Sequence, residues 1–211
     1  TFKDDSLLLL TAAIWGFAFV AQRAGMEFIE PFTYNGVRFA LGSLSLLPLI
    51  FVLGRRSGRQ SPGRVPAGSG RAATDRGRAG RVWLYGLLCG SVLFAAASLQ
   101  QVGIVYTTAG KAGFITGLYV VLVPLSGLLW RQQAGWSRWV GAGLALAGLY
   151  LLSVTRGFSI AKGDFLVLLS ALFWTAHVQL IGLFSPKTDS LILACIQFAV
   201  CSLFSLVVAA A

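Results

Sequence analysis

Seven stretches of predominantly apolar residues, each about as long as a bilayer is thick, take up most of the chain. An α-helix needs roughly 20 residues to cross a hydrocarbon core of about 30 Å, and within lipid its backbone groups are satisfied by its own hydrogen bonds. Charged residues make up only 11% of the sequence, against about 25% in a soluble domain. The sequence therefore predicts an all-α integral membrane protein, a helical bundle of about seven transmembrane helices, with spans at 6–25, 33–53, 82–100, 109–130, 137–155, 163–184 and 189–211.

Two of these stretches repeat each other without a gap. Lys3-x-Asp5 at the start of the first span recurs as Lys162-x-Asp164 at the start of the sixth. The repeat unit thus comprises five spans, an odd number, so the second copy enters the membrane from the opposite side. Such inverted repeats are typical of transporters that work by alternating access.

The repeat also divides the chain into domains. We expect a first five-helix repeat at 1–155 and the start of a second, truncated repeat at 162–211. Since a complete second copy needs five spans, the intact protein is expected to be a ten-helix, five-plus-five bundle of which this chain is a part.

A basic segment at 54–81 fixes the expected orientation. It holds eight arginines against a single acid, Asp75, and is rich in Gly, Pro and Ser. Such a composition predicts a disordered linker, and an excess of Arg and Lys in a short loop marks the cytoplasmic side. The amino terminus is then cytoplasmic as well. Anionic lipid headgroups are the expected partner of this linker, and no nucleic acid is expected.

Arg38 is the clearest charge within a span, where an ionised side chain is costly and needs a reason. At helical spacing it shares a polar stripe with Asn35 on the second span. One interpretation is that Arg38 neutralises an anionic group such as a substrate carboxylate. The alternative is a structural arginine that snorkels to the outer surface or pairs with Glu27 or Glu30.

Three further polar residues fall in the same outer part of the membrane under this topology. They are Gln22 at the end of span one, Gln101 at the end of span three and Lys111 at the start of span four. Their polar groups could face one cavity together with Arg38, and Lys111 could help to neutralise an anionic solute.

Two tryptophans occupy equivalent positions of the repeat, Trp15 in span one and Trp174 in span six. They could form walls of a central pocket for an organic solute, or they could simply fill helix interfaces. His177 lies one turn after Trp174. It could titrate near neutrality and couple transport to protons, or it could be a hydrogen-bonded interface residue.

Metal and enzyme chemistry find little support in the sequence. The three cysteines, Cys89, Cys195 and Cys201, lie within apolar spans without metal-ligand spacing, and the chain has one histidine. No nucleophile–base pair, phosphate-binding loop or paired carboxylates stand out. We therefore expect no enzymatic activity, no cofactor and no metal.

Several short motifs resemble those of EamA-type transporters of the drug/metabolite transporter superfamily. These are Trp15-Gly16-Phe17, Arg38, Tyr106-Thr107-Thr108-Ala109, Pro124, and the pair Gly141 and Gly148. The resemblance implies two five-helix halves with inverted symmetry, a central cavity for small metabolites and a place in the bacterial cytoplasmic (inner) membrane. Many relatives carry a glutamate just after the fourth span, where this chain has Gln132.

Together these features predict a secondary transporter, an exporter of small organic metabolites such as amino acids, working by alternating access. Its expected partners are the solute and the lipid bilayer. A lipid-linked cargo flippase and a non-transporting membrane scaffold are the alternatives. The spacing of Gly113 and Gly117 suits close helix packing within the chain, with a homodimer as the alternative.

Overall fold

Helices form every regular element in the parts of the chain that the computed structural model describes, residues 2–58, 70–127, 135–153 and 161–211. A short 3₁₀ turn at Ser185–Lys187 joins the last two α-helices. The α-helices are α1 (Phe2–Gly25), α2 (Pro31–Gly58), α3 (Gly70–Val105), α4 (Ala109–Gly117), α5 (Tyr119–Gly127), α6 (Trp136–Ser153), α7 (Lys162–Phe184) and α8 (Ser190–Ala209). The predicted all-α membrane fold is confirmed.

Six candidate membrane spans lie in the described ranges, each long and apolar enough to cross a bilayer. They overlap six of the seven predicted spans and are Asp5–Gly25, Pro31–Leu53, Gly80–Val105, Ala109–Gly127, Lys162–Lys187 and Ser190–Ala209. The remaining predicted span, 137–155, coincides with α6, whose first turn carries the polar Ser137 and Arg138 and so lowers its mean hydropathy.

The helices extend into both ends of the segment 54–81, where composition predicted a disordered linker. α2 continues to Gly58 and α3 begins at Gly70, which leaves 59–69 outside the described residues. Arginine and alanine, which are frequent between 71 and 81, are among the better helix formers. The prediction of a disordered linker depended on the low hydrophobicity of this segment. The helix propensity of its residues favours helix instead.

The fourth span is divided at Leu118 into α4 and α5. Leu118 caps α4 through its N–H, which bonds to Ile115 O, and α5 resumes at Tyr119. Pro124, which lacks the backbone donor of a regular helix, lies within α5. The interruption lies upstream of that proline, and Gln179 of α7 donates hydrogen bonds to Val123 O (3.0 Å) and Ser126 Oγ (2.8 Å) beside it.

Three interfaces dominate the packing: α2 with α8, α3 with α7 and α3 with α8. Glycines let α3 and α8 approach closely. A Cβ atom at Gly86 would lie 2.4 Å from Ile196 Cγ2, and one at Gly90 would lie 2.6 Å from Val200 Cβ. Small residues at such contacts are how membrane helices associate, because lipid supplies no hydrophobic drive between them.

The bundle has two ends, which the contacts between helix termini define. At the loop end, α1 and α3 finish while α2, α4 and α7 begin; Gln101 meets Met26 there. At the linker end, α2 and α7 finish while α3 and α8 begin, and Tyr85 stacks on Phe184. Most large apolar side chains of α1, such as Leu9 and Phe17, are exposed and suited to face lipid.

Candidate functional site

An ion pair joins α4 to α7 at the loop end. The Nζ atom of Lys111 lies 3.2 Å from Oδ2 of Asp164, and the hydroxyl of Thr107 donates a hydrogen bond to the other carboxylate oxygen. Asp164 is only 1% exposed, whereas the side chain of Lys111 is 25% exposed. The carboxylate is thus compensated by one cation and one hydroxyl, as a buried charge requires.

The local sequence explains why these two groups meet. Thr108 caps α4, accepting a hydrogen bond from Lys111 N at 3.3 Å, so the lysine stands in the first turn of that helix. Asp164 stands in the first turn of α7, where the helix dipole favours a negative charge. Gly163 and Gly103 let α7 begin directly against the end of α3.

A second polar group, which we name the polar seam, links α1, α3 and α7. Gln100 donates to Gln22 Oε1 at 3.2 Å and accepts from the indole N–H of Trp174 at 2.8 Å. Both glutamines are buried. Because buried polar groups are costly unless paired, the seam holds these three helices in one arrangement.

His177 continues the polar path toward the linker end. Its ring lies edge-on to Trp174, with centroids 5.7 Å apart, and its Nε2 lies 2.8 Å from Gln197 Oε1 of α8. Both His177 and Gln197 are buried. The structure therefore gives His177 the neighbours of an interface histidine, within reach of Trp174.

Arg38 lies half-buried on α2, and its environment is aromatic. Its guanidinium carbon is 4.7 Å from the ring centroid of Phe39 and 5.7 Å from that of Tyr34. Within the described residues it neither meets a carboxylate nor donates a hydrogen bond, so the predicted alternative of a pair with Glu27 or Glu30 does not form there. Phe39, its neighbour in the sequence, belongs to the apolar cluster on which Trp174 packs.

Two buried amides near these groups have an oxygen without a partner in the described part of the chain. Asn35 Nδ2 donates to Ala97 O at 3.1 Å and Gln101 Nε2 to Met26 Sδ at 3.1 Å, but Asn35 Oδ1 and Gln101 Oε1 accept no hydrogen bond. A buried acceptor of this kind costs about 1–3 kcal/mol. Both oxygens could accept from a solute N–H.

The structure gives the two repeat-related tryptophans different neighbours. Trp15 is 47% exposed and its ring lies 5.9 Å from that of Tyr119, just after the break in the fourth span. Trp174 is bound to Gln100 and lies against His177. Of the eight predicted site residues, Gln22 and Trp174 join the seam, His177 adjoins it, and Lys111 lies at the loop-end pair.

Sequence reasoning missed Asp164 and Gln100 as functional candidates. In the sequence Asp164 stands out only as part of the repeated Lys-x-Asp motif, and Gln100 only as the last residue of the predicted third span. One signal in the sequence does indicate the ion pair. An apolar span has a carboxylate in its first turn, and another span has a lysine in its first turn. In the described ranges no cluster of three or more His, Cys, Asp or Glu side chains could hold a metal ion.

Replacing Trp174 by phenylalanine should lower the free energy of unfolding by about 1–3 kcal/mol, because Gln100 Oε1 then loses its buried donor. Trp15→Phe is the matched control, since Trp15 is half exposed and its indole makes no hydrogen bond with described residues. Denaturant titration of both variants in mixed micelles measures the difference. Equal losses in the two variants would contradict a structural role for the seam.

Comparison with known proteins agrees with this architecture. Residues 3–154 match the model of the EamA-like transporter family. Three Archaeoglobus fulgidus proteins described as uncharacterized transporters are similar to the chain. One is 33% identical over 193 residues, covering 90% of this chain and 52% of the relative. The second is 27% identical over 209 residues, covering 96% of this chain and 65% of the relative. The third is 26% identical over 191 residues, covering 88% of this chain and 61% of the relative.

The chain spans between about half and two thirds of the length of these curated relatives. No solved structure matches it. The family match covers more than half of the chain, and the apolar helices agree with a multi-pass membrane location. This chain therefore belongs to the EamA-like transporter family, whose members are membrane transporters rather than enzymes.

Proposed function

We propose that the protein exports small organic solutes of the amino-acid type by alternating access, with Arg38 binding the solute carboxylate. The observation that carries the proposal is the guanidinium of Arg38, held in an apolar helix with aromatic neighbours and no carboxylate partner among the described residues. An ionised group within a span is expensive and is by default a candidate for a functional role.

The geometry around Arg38 suits a carboxylate. Phe39 and Tyr34 lie in cation–π contact with the guanidinium, and no described residue accepts a hydrogen bond from its planar fork of N–H donors. That fork matches a carboxylate in a bidentate manner, which a lysine ammonium cannot reproduce. A solute anion would therefore supply the counter-ion that no described residue provides.

Asn35, one turn before Arg38, supplies a complementary group. Its Oδ1 accepts no hydrogen bond from described residues, and an amide oxygen can accept from an ammonium group. An amide oxygen that can bind an ammonium group, one turn from a guanidinium that can bind a carboxylate, favours a zwitterionic α-amino acid over a simple carboxylic acid. The family resemblance supports export as the direction.

The loop-end pair fits the role of a closed gate. Separating α4 from α7 at that end requires breaking the contact between Lys111 and Asp164, and the positive-inside rule places this end on the outer side. The described conformation would then be closed toward the outside. The seam of Gln22, Gln100 and Trp174 would hold the helices that flank the pathway.

Transport by the full-length protein should fall at least tenfold in Arg38→Lys and further in Arg38→Gln, because a charge-assisted bidentate contact contributes about 1.5–3 kcal/mol. Efflux of radiolabelled alanine from proteoliposomes measures the change. Alaninamide, which lacks the carboxylate, and propionate, which lacks the ammonium, are the matched solutes.

The expected order is alanine, then propionate, with alaninamide not transported. Arg23→Gln, which removes a cation from the last turn of α1, controls for the loss of one charge. Efflux that is unchanged in Arg38→Gln at normal protein levels would overturn the role of Arg38. Equal transport of alanine and alaninamide would overturn the carboxylate assignment.

A further inference from the structure

A cavity of about 240 Å³ opens at the linker end of the bundle, away from the proposed solute pathway. Its lining comes from the start of α3 and from the turn that follows α7: Arg81, Tyr85, Lys187 and Thr188. Arg81 and Lys187 are exposed at this cavity, whereas Tyr85 and Thr188 are partly buried. Two cations therefore converge on one concave site.

Aromatic stacking makes the wall of the cavity rigid. The rings of Tyr85 and Phe184 are almost parallel, with centroids 4.1 Å apart and an interplanar angle of 4°. Lys187 Nζ lies 6.0 Å from the Phe184 ring, and the Thr188 hydroxyl donates to Phe184 O at 3.2 Å. Phe184 thus contacts Tyr85, Lys187 and Thr188, which all line the cavity.

The carboxylate of the neighbouring Asp189 does not pair with Lys187. Asp189 follows Thr188 directly, but its carboxylate accepts hydrogen bonds from Leu191 N and Ile192 N and so caps α8. Within the described ranges Lys187 forms no ion pair, and the Tyr85 hydroxyl makes no hydrogen bond. An ammonium group and a phenol are therefore available as donors beside the Arg81 guanidinium.

The position of the cavity is that of lipid headgroups. Lys187 is the last residue of the span Lys162–Lys187, and Arg81 is the second residue of the span Gly80–Val105. Trp83 follows two residues after Arg81, and its side chain is 64% exposed. Tryptophan is enriched at the membrane interface. A phosphate group at this level belongs to the bilayer rather than to bulk water.

We infer that this cavity binds the phosphate group of an anionic phospholipid, with Arg81 and Lys187 as its counter-ions and Tyr85 as a hydrogen-bond donor. Basic pockets between transmembrane helices on the cytoplasmic side are suited to such headgroups, and the arginine-rich segment places the linker end on that side. The bound lipid would connect the start of α3 to the end of α7.

Native mass spectrometry of the full-length protein, extracted from vesicles of equal parts phosphatidylglycerol and phosphatidylcholine, tests this site. The wild type should retain phosphatidylglycerol preferentially. Arg81→Gln and Lys187→Gln should each weaken retention about fivefold, and the double variant about 25-fold. Lys187→Arg, which keeps the charge, should retain the lipid, and Arg23→Gln at the opposite end is the matched control.

Circular dichroism checks that each variant keeps its helix content before the bound lipid is measured by mass spectrometry. A double variant that is folded and retains phosphatidylglycerol as the wild type does would overturn the site. An equal loss in Arg23→Gln would also overturn it, because the effect would then be a general one of net charge.

Glycerol 3-phosphate distinguishes a lipid from a soluble phosphate ester. Added to protein in phosphatidylcholine nanodiscs, it should not raise the melting temperature, whereas discs that contain phosphatidylglycerol should do so. Stabilisation by glycerol 3-phosphate equal to that by the lipid would overturn the assignment to a phospholipid.

Discussion

Replacing Lys111 by methionine is expected to lower the free energy of unfolding by about 3–5 kcal/mol, because it leaves the carboxylate of Asp164 buried without a counter-ion. Asp164 is 1% exposed, and only the hydroxyl of Thr107 would remain as its partner. Methionine keeps most of the apolar stem of lysine, so the loss measures the charge rather than the packing.

The double variant Lys111→Met/Asp164→Asn makes this prediction specific. Asparagine keeps the shape of the aspartate and can still accept from Thr107, but it carries no charge. Replacing both partners of a buried ion pair is often nearly neutral, so we expect the double variant to recover most of the loss. Denaturant titration in mixed micelles measures all three proteins. A double variant as unstable as Lys111→Met would contradict the ion-pair interpretation.

Gly163→Ala should be the second severe change, with a loss of about 3 kcal/mol, at the upper end of the usual cost of overpacking. The added Cβ would lie 2.7 Å from Tyr106 C and 2.8 Å from Gly103 O. These are backbone atoms of α3 and of the residue that follows it, and they cannot rotate aside as a side chain can. α7 would have to move as a whole, carrying Asp164 with it.

Gly182→Ala in the same helix is the matched control, because a Cβ there meets no atom within 4 Å. Alanine is favoured over glycine in a helix interior by about 1 kcal/mol, so this variant should be unchanged or more stable. Thermal unfolding followed by circular dichroism in micelles compares the two. A Gly163→Ala protein as stable as the control would show that the contact between α3 and α7 can relax.

The helices of this protein were predictable because apolar length is a local property of the sequence. Six predicted spans overlap candidate spans of the structure within a few residues at most ends. α3 extends to Val105, beyond the predicted end of the third span at residue 100, where Gln100 and Gln101 interrupt the apolar run. In the fold both glutamines are buried inside the helix; Gln100 bonds to Gln22 and Trp174, and the amide nitrogen of Gln101 donates to Met26.

The candidate site was less predictable, because its contacts join residues far apart in the chain. The sequence offered Lys111 as a charge without naming its partner, and Asp164 lies 53 positions later. The repeat placed Trp15 and Trp174 at equivalent positions, but equivalence in sequence does not give equal neighbours. α1 contacts α4, whereas α7 packs chiefly against α3.

The absence of a counter-ion for Arg38 in the described residues has an electrical consequence. Lys111 and Asp164 cancel each other, whereas Arg38 leaves one positive charge at a site that alternating access would expose to each side in turn. A charge that crosses the full membrane field changes in energy by about 2.3 kcal/mol per 100 mV. A negative-inside potential would therefore bias the empty carrier toward its inward-facing state. A zwitterion preserves that bias and a monoanion abolishes it, so voltage itself would discriminate between the two classes of solute.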